Sequence, residues 1–192
     1  MLKRTTKKFV EDYLSQKKSW KILDIGCGYT ANKYSNHVAD TQDFSDLYKG
    51  KKFTLIKDKK LPFADKEFNF VIASHVLEHV EDVDFFIKEL ERVASSGYIE
   101  VPTRLEDNLV DVNEKAHIWW INFDDINHSL FITKRKQIVE PFLSVSTAQN
   151  LRKFFRDSLV TEIFWESKID YLLSENNNDI EFYKKLYFLE TL

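Results

Sequence analysis

Cysteine occurs once in the 192 residues, proline three times and glycine four times. Each scarcity removes a class of protein. A lone Cys27 forms no internal disulfide and no cysteine-based zinc site. So little glycine and proline, beside 43% hydrophobic and 15% aromatic residues, excludes collagen-like and disordered chains. Neither sign of charge dominates: 28 Lys and Arg face 31 Asp and Glu, a net charge of −3, so no global field recruits nucleic acid or an anionic membrane. No apolar run approaches the ~20 residues of a membrane span, and the N-terminus is charged rather than signal-like. The expectation is one soluble, cytoplasmic domain over residues 1–192, with no repeat or linker.

What is present alternates. Leu2 to Ser19 carries Phe9, Val10, Tyr13 and Leu14 at helical spacing, with its lysines as a solvated face. Short apolar runs follow at Trp20–Ile25, Asn36–Ala39, Lys52–Ile56 and Phe68–Ser74, and these read as strands. Val83, Phe86, Ile87, Leu90, Val93 and Ala94 mark an amphipathic helix with acidic residues over its first turn. A turn at Ser95-Ser96-Gly97 leads to a strand at Tyr98–Val101, stopped by Pro102. His117–Phe123 and Ser129–Thr133 flank a loop and read as a hairpin in which Trp119 and Trp120 alternate. Ala148–Ser158 reads as a helix, Leu159–Leu173 as further strand material and Asp179–Leu192 as a last helix. His37 is assigned to a half-exposed strand and His128 to a loop. Alternating strands and helices indicate an α/β doubly wound sheet.

Two of the four glycines fall in one window, Leu23-Asp24-Ile25-Gly26-Cys27-Gly28, at a strand end. Open α/β sheets bind ligands at such carboxyl ends. Glycine there lets the backbone turn sharply and a ligand approach closely. Asp24 would repel a pyrophosphate but can anchor a cationic or hydroxyl-bearing group, which favours a positively charged nucleoside ligand over a dinucleotide.

The motifs then align with a known family. Ile22 to Gly28 (ILDIGCG), the acidic Asp40, Leu61-Pro62-Phe63-Ala64-Asp65 with Phe68-Asn69-Phe70, Ser74-His75-Val76-Leu77-Glu78-His79-Val80, and Glu89-Leu90-x-Arg92-Val93 stand in order over residues 20–101. Together they resemble the class I S-adenosylmethionine-dependent methyltransferases of the small-molecule type. The resemblance implies a Rossmann-like, doubly wound, seven-stranded, mostly parallel sheet with one antiparallel strand. A small β-hairpin and helical cap over residues 103–150 would cover the acceptor. It assigns Asp24, Gly26, Cys27, Gly28, Asp40, Asp58, Leu61, Ser74 and His75 to S-adenosyl-L-methionine, with Asp40 on the ribose hydroxyls and Asp58 near the adenine amino group. Two departures stand out. Tyr29, Thr30 and Ala31 replace the stretch to a third glycine, and Asn69 replaces the usual Asp. The short run from Gly28 to Asp40 implies a truncated first crossover helix and a more open site.

Other readings fit less well. A dinucleotide fingerprint needs an acidic residue ~20 positions on, and Asp40 comes too early. His75-Val-Leu-Glu78-His79 matches H-x-x-E-H, but that zinc chemistry needs both histidines on one continuous helix and a further ligand. The sequence is therefore read as metal-free. The expected activity is in-line methyl transfer to a small-molecule or glycan-precursor acceptor, with His117 and His75 as candidate bases. The alternative is a non-catalytic or regulatory domain that keeps the fold.

Overall fold

The computed structural model describes residues 1–111 and 113–174. A seven-stranded sheet runs in the order β1 (Leu2–Arg4), β9 (Val160–Glu166), β6 (Ser96–Pro102), β5 (Phe70–Ser74), β2 (Ile22–Ile25), β3 (His37–Asp40), β4 (Lys52–Leu55). The five strands from β4 to β6 are mutually parallel, and β9 is antiparallel to both β6 and β1. This is the mostly parallel, doubly wound α/β architecture that the resemblance implied. A second sheet of three strands, β7 (Trp119–Asp124), β8 (Ser129–Lys134) and β10 (Tyr171–Ser174), carries the expected hairpin. The helix expected over Asp179–Leu192 lies outside the described residues.

The sheet is covered unevenly. On one face helix α1 (Lys7–Ser15) sets Val10 and Leu14 against Ile22, Phe70, Ile72, Tyr98 and Phe164. On the other, α2 (Val83–Val93) buries Val83, Ile87, Leu90 and Val93 in the main core, together with Trp119, Ile121 and Leu130 of the hairpin. Asp82 caps α2, its carboxylate accepting from the Phe85 N–H at 3.0 Å. Two short helices, α3 (Arg104–Leu109) and α4 (Asn113–Ala116), lead into the hairpin, and α5 (Val145–Leu159) returns the chain to β9.

Several segments depart from the sequence reading. Residues 2–4 form an edge strand, with Leu2 paired to Trp165, and helix α1 begins only after its N-cap Thr6. Three residues are too few to display alternation, so the helical spacing from Phe9 onward masked them. Gly97 is not in a turn but buried inside β6. A Cβ there would lie 2.5 Å from both Trp165 Nε1 and the Val71 carbonyl oxygen, so only glycine lets the indole cross the strand. His37 is buried rather than half-exposed, with Nε2 2.8 Å from Thr54 Oγ1 and its ring edge-on to Phe63 and Phe68.

No helix joins β2 to β3, and only a 3-10 turn at Ser45–Tyr48 lies between β3 and β4. Backbone groups that a helix would pair internally must find other partners. The Asn32 N–H donates to Asp24 Oδ2 at 2.6 Å. The Tyr48 hydroxyl accepts from the Ala31 N–H and donates to the Gly28 carbonyl, both at 2.9 Å. Lys51 Nζ donates to the Asn32 carbonyl at 2.9 Å and to the Ser35 carbonyl. Side chains thus do the work of the expected truncated helix.

Candidate active site

A cavity of about 850 Å³ opens at the carboxyl ends of β2, β3, β4 and β5. That is within the ~300–1,000 Å³ range of small-molecule and cofactor sites. Of the residues singled out in the sequence, Gly26, Asp40, Asp58, Leu61 and His75 line it. Asp24, Cys27, Gly28 and Ser74 support it from behind or beside. His79 and Val76 of the motif after β5 also line the cavity, as do Thr41, Ile56, Phe85 and Phe86, which no sequence motif singled out. Phe86 reads from its spacing as part of the apolar face of α2, beside Phe85; their position directly after a strand-end loop was the available signal.

The glycine window has two different geometries. Gly26 has φ +66°, and a Cβ there would lie 2.5 Å from Val76 Cγ2 of the loop after β5. Gly28 has φ +46° with open space before it, and its N–H donates to Asp40 Oδ2 at 2.9 Å. The other Asp40 oxygen accepts from the Gln42 N–H at 3.0 Å. Those two bonds fix a carboxylate at the rim. Asp24 behaves otherwise: only 5% exposed, it is pushed up to about 6 by burial, opposed by the Asn32 N–H and by Lys51. Burial likewise pushes the Cys27 thiol up to about 12, so it is no nucleophile.

The motif spacing over 61–92 now has a physical reason. Leu61 N–H donates to Glu89 Oε2 at 2.7 Å, and Arg92 binds Glu89, the Leu61 and Phe63 carbonyls and Asp65. One helix face therefore clamps the loop that forms a cavity wall.

His75 ends β5 with φ +56°, a left-handed conformation that turns the chain sharply at the cavity. Its Nδ1 lies 3.1 Å from Glu78 Oε1 and its Nε2 3.3 Å from Glu100 Oε1. Burial disfavours the imidazolium, but hydrogen bonds to Glu100 and Glu78 outweigh it and raise His75 to about 9. Burial would raise the Glu100 carboxyl, yet His75, Tyr98 and Arg156 together hold it well below the usual carboxylate range. The Tyr98 hydroxyl donates within a triangle formed with Glu100 and Glu162, at 2.6 Å to each, and Arg156 closes the group.

His117 stands elsewhere, beside the cavity rather than in its wall. Its ring meets that of His79 edge-on at 4.5 Å, and its Nδ1 is bonded to Asp107. Asp107 also accepts from Trp120 Nε1 and Arg135 Nε, each at 2.6 Å. The stretch before β7 is stitched to the loop after β5: the Ile118 N–H donates to the Glu78 carbonyl at 2.7 Å, and Trp119 Nε1 to the Val80 carbonyl at 2.8 Å. No sequence signal links positions 78–80 to 116–119.

Residues 23–99 match a family described as a methyltransferase domain. Ajmaline N-methyltransferase of Rauvolfia serpentina is 30% identical, over 43% of this chain and 35% of its own. Tocopherol O-methyltransferase of Arabidopsis thaliana is 23% identical, over 86% of this chain and 57% of its own. The chain therefore spans about a third to just over a half of these relatives. Among solved structures, the PH0226 protein from Pyrococcus horikoshii OT3 matches with a TM-score of 0.49 and 16% identity, over 84% of this chain and 89% of that one.

Proposed function

We propose that this chain, whose residues 23–99 match a methyltransferase-domain family, is a class I S-adenosylmethionine-dependent methyltransferase that binds its cofactor at the cavity and transfers the methyl group to a small-molecule or glycan-precursor acceptor. The observation that carries the reading is the Asp40 carboxylate, fixed at the rim by the Gly28 N–H beside the bare backbone of Gly26.

The residues suit S-adenosyl-L-methionine. Asp40 accepts from paired ribose hydroxyls, and a charged acceptor makes those hydrogen bonds the stronger kind. Asp58 and Leu61 stand on the adenine side, with Ile56, Phe85 and Phe86 as apolar walls. Gly26 and Gly28 admit the ligand to bare backbone. Asp24, Cys27 and Ser74 act on the cofactor indirectly, by shaping the two loops. When bound, the cofactor supplies a methyl group activated by its sulfonium. The chain positions the acceptor in line and excludes water.

An acceptor hydroxyl or amine must also lose a proton. His75 already holds one at neutral pH, so it acts as a fixed cation between Glu78 and Glu100. His117, oriented through Nδ1 by Asp107, keeps Nε2 to take the proton. A small acceptor agrees with the names of the two relatives, an ajmaline and a tocopherol methyltransferase, and with the short cap over residues 103–150.

The helix-free connection after Gly28 favours one second reading, a domain that binds the cofactor without turnover. Calorimetry with S-adenosylmethionine and its demethylated product tests the site, and tritium transfer to panels of acceptors tests turnover. Failure of both ligands to bind at millimolar concentration would sink the enzyme reading.

A further inference from the structure

The geometry points to a divalent transition-metal site formed by Glu78, His79 and His117 beside the cofactor cavity. Each of the three offers one ligand atom, and these atoms lie within 4.8 Å of one another. Two imidazoles and a carboxylate suit borderline ions such as zinc, iron(II), manganese or cobalt. Magnesium and calcium prefer all-oxygen sets.

The second atom of every ligand is already committed. His79 Nδ1 donates to the Ala116 carbonyl at 2.9 Å, leaving Nε2 to bind. His117 Nδ1 is held by Asp107, the carboxylate–histidine arrangement that commonly orients a metal ligand. Glu78 Oε1 is bonded by His75, while its Oε2 has no hydrogen-bond partner among the described residues. Glu78 is 1% exposed. A buried carboxylate oxygen without a partner is costly, and an ion in this cluster would satisfy it.

The objection raised from sequence does not apply. H-x-x-E-H zinc chemistry would use His75 and His79 on one helix, whereas residues 75–80 form no helix here. His75 serves as a partner of Glu78, and the cap contributes His117 instead. Drawing the three atoms inward by roughly an ångström gives the spacing of ligands bonded at about 2.1 Å. His79 lines the cavity, so an open coordination position faces the acceptor.

There an ion would hold an acceptor oxygen and lower the pKa of its hydroxyl. With the ion bound, His117 is a ligand and the ion replaces it in promoting proton loss. That role rests on the methyltransferase reading; binding of the ion does not.

Cobalt(II), added to the full chain after chelator treatment, is the test. The expected result is saturable visible d–d absorption at a single ion per chain, displaced by zinc. His79→Ala and His117→Ala should each weaken binding by about tenfold or more, while His128→Ala, in the exposed hairpin loop, leaves it unchanged. His79 is exposed, so its variant tests the site without a packing loss. No saturable signal in the native chain, or equal binding in a folded His79→Ala variant, overturns the site. Calorimetry with S-adenosylmethionine on the same samples separates the two readings. Cofactor binding without a cobalt signal removes the ion alone. A cobalt signal without cofactor binding supports the ion and removes the methyltransferase reading alone.

Discussion

The connections after β2 and β3 and the segment from β6 to β9 both carry polar side chains into the protein, but to different ends. Around the glycine window, Asp24, Tyr48 and Lys51 spend their hydrogen bonds on backbone groups of a connection that has no helix. From β6 onward, carboxylates pair with cations instead: Glu100 and Glu162 with Arg156, Glu106 with Arg152, and Asp107 with Arg135. Those four acids are each at most 5% exposed. The first region shapes an opening with backbone at its edge. The second ties α5 to β6 and β9 and to α3, and α3 to the stretch after β8, through charges that tolerate no missing partner. Substitutions should therefore cost binding in the first region and folding in the second.

The largest effect is expected at Asp107. Replacing it by alanine leaves Arg135, 5% exposed, without its carboxylate, and frees Trp120 Nε1 and His117 Nδ1. Breaking a buried pair from one side costs about 3–5 kcal/mol. Urea unfolding of Asp107→Ala should show that loss. A change below about 1 kcal/mol would break the comparison, because the pair would then be behaving as a surface one.

Asp24 stands apart within the first region as a buried carboxylic acid. Its pKa is raised on folding to about 6, so the folded state binds the proton more tightly than the unfolded chain. Its contribution is full below about pH 4 and is lost as pH rises through about 6, by about 3 kcal/mol in all. Asp24→Asn keeps an oxygen for the Asn32 N–H and has no charge to bury. Its stability should stay flatter across that window and exceed the native value at pH 7. An unchanged pH profile would place Asp24 in a more solvated setting than the structure gives it.

Much of this division was legible in the sequence. The core strands, helix α2 and the cap hairpin announced themselves through apolar runs and helical spacing, because burial on one or both faces dictates those patterns. Five of the residues that the resemblance assigns to the cofactor line the cavity, and short local motifs were enough to single them out. What stayed hidden depends on long-range contact. His117 meets Asp107 only because α3 and α4 fold back on each other, and His79 joins the same stretch by a bond to the Ala116 carbonyl, 37 positions along the chain. Gly97 looked like a turn because the crossing Trp165 is 68 residues away, as the pairing of β6 with β9 shows.

Gly97 and Gly26 give a matched pair. At Gly97 an added methyl meets a backbone oxygen and an indole, neither of which can retreat, and overpacking of that kind costs about 1–3 kcal/mol or more. At Gly26 it meets the end of Val76, with a left-handed backbone penalty of about 1–2 kcal/mol. Gly97→Ala should lower thermal stability more and leave cofactor affinity intact in the folded fraction. Gly26→Ala should do the reverse, since its methyl enters the cavity wall. Equal loss of binding in both would show that the sheet transmits the change.

Asp40→Ala carries the smallest expected effect on folding and so tests the comparison most finely. The carboxylate accepts only the Gly28 and Gln42 N–H groups as well-formed bonds, at the half-exposed rim where water can replace it. Stability should fall by less than about 1 kcal/mol. Loss of the charged acceptor for two ribose hydroxyls should weaken S-adenosylmethionine binding by about 1.5–3 kcal/mol, or roughly 10- to 150-fold. Asp40→Asn should recover stability but little affinity, because its amide accepts through one oxygen and carries no charge. Paired calorimetry and thermal melts on the two variants read both quantities at once. A cofactor affinity unmoved by either change would shift the ribose away from this rim, while Gly28 would still need a partner for its N–H.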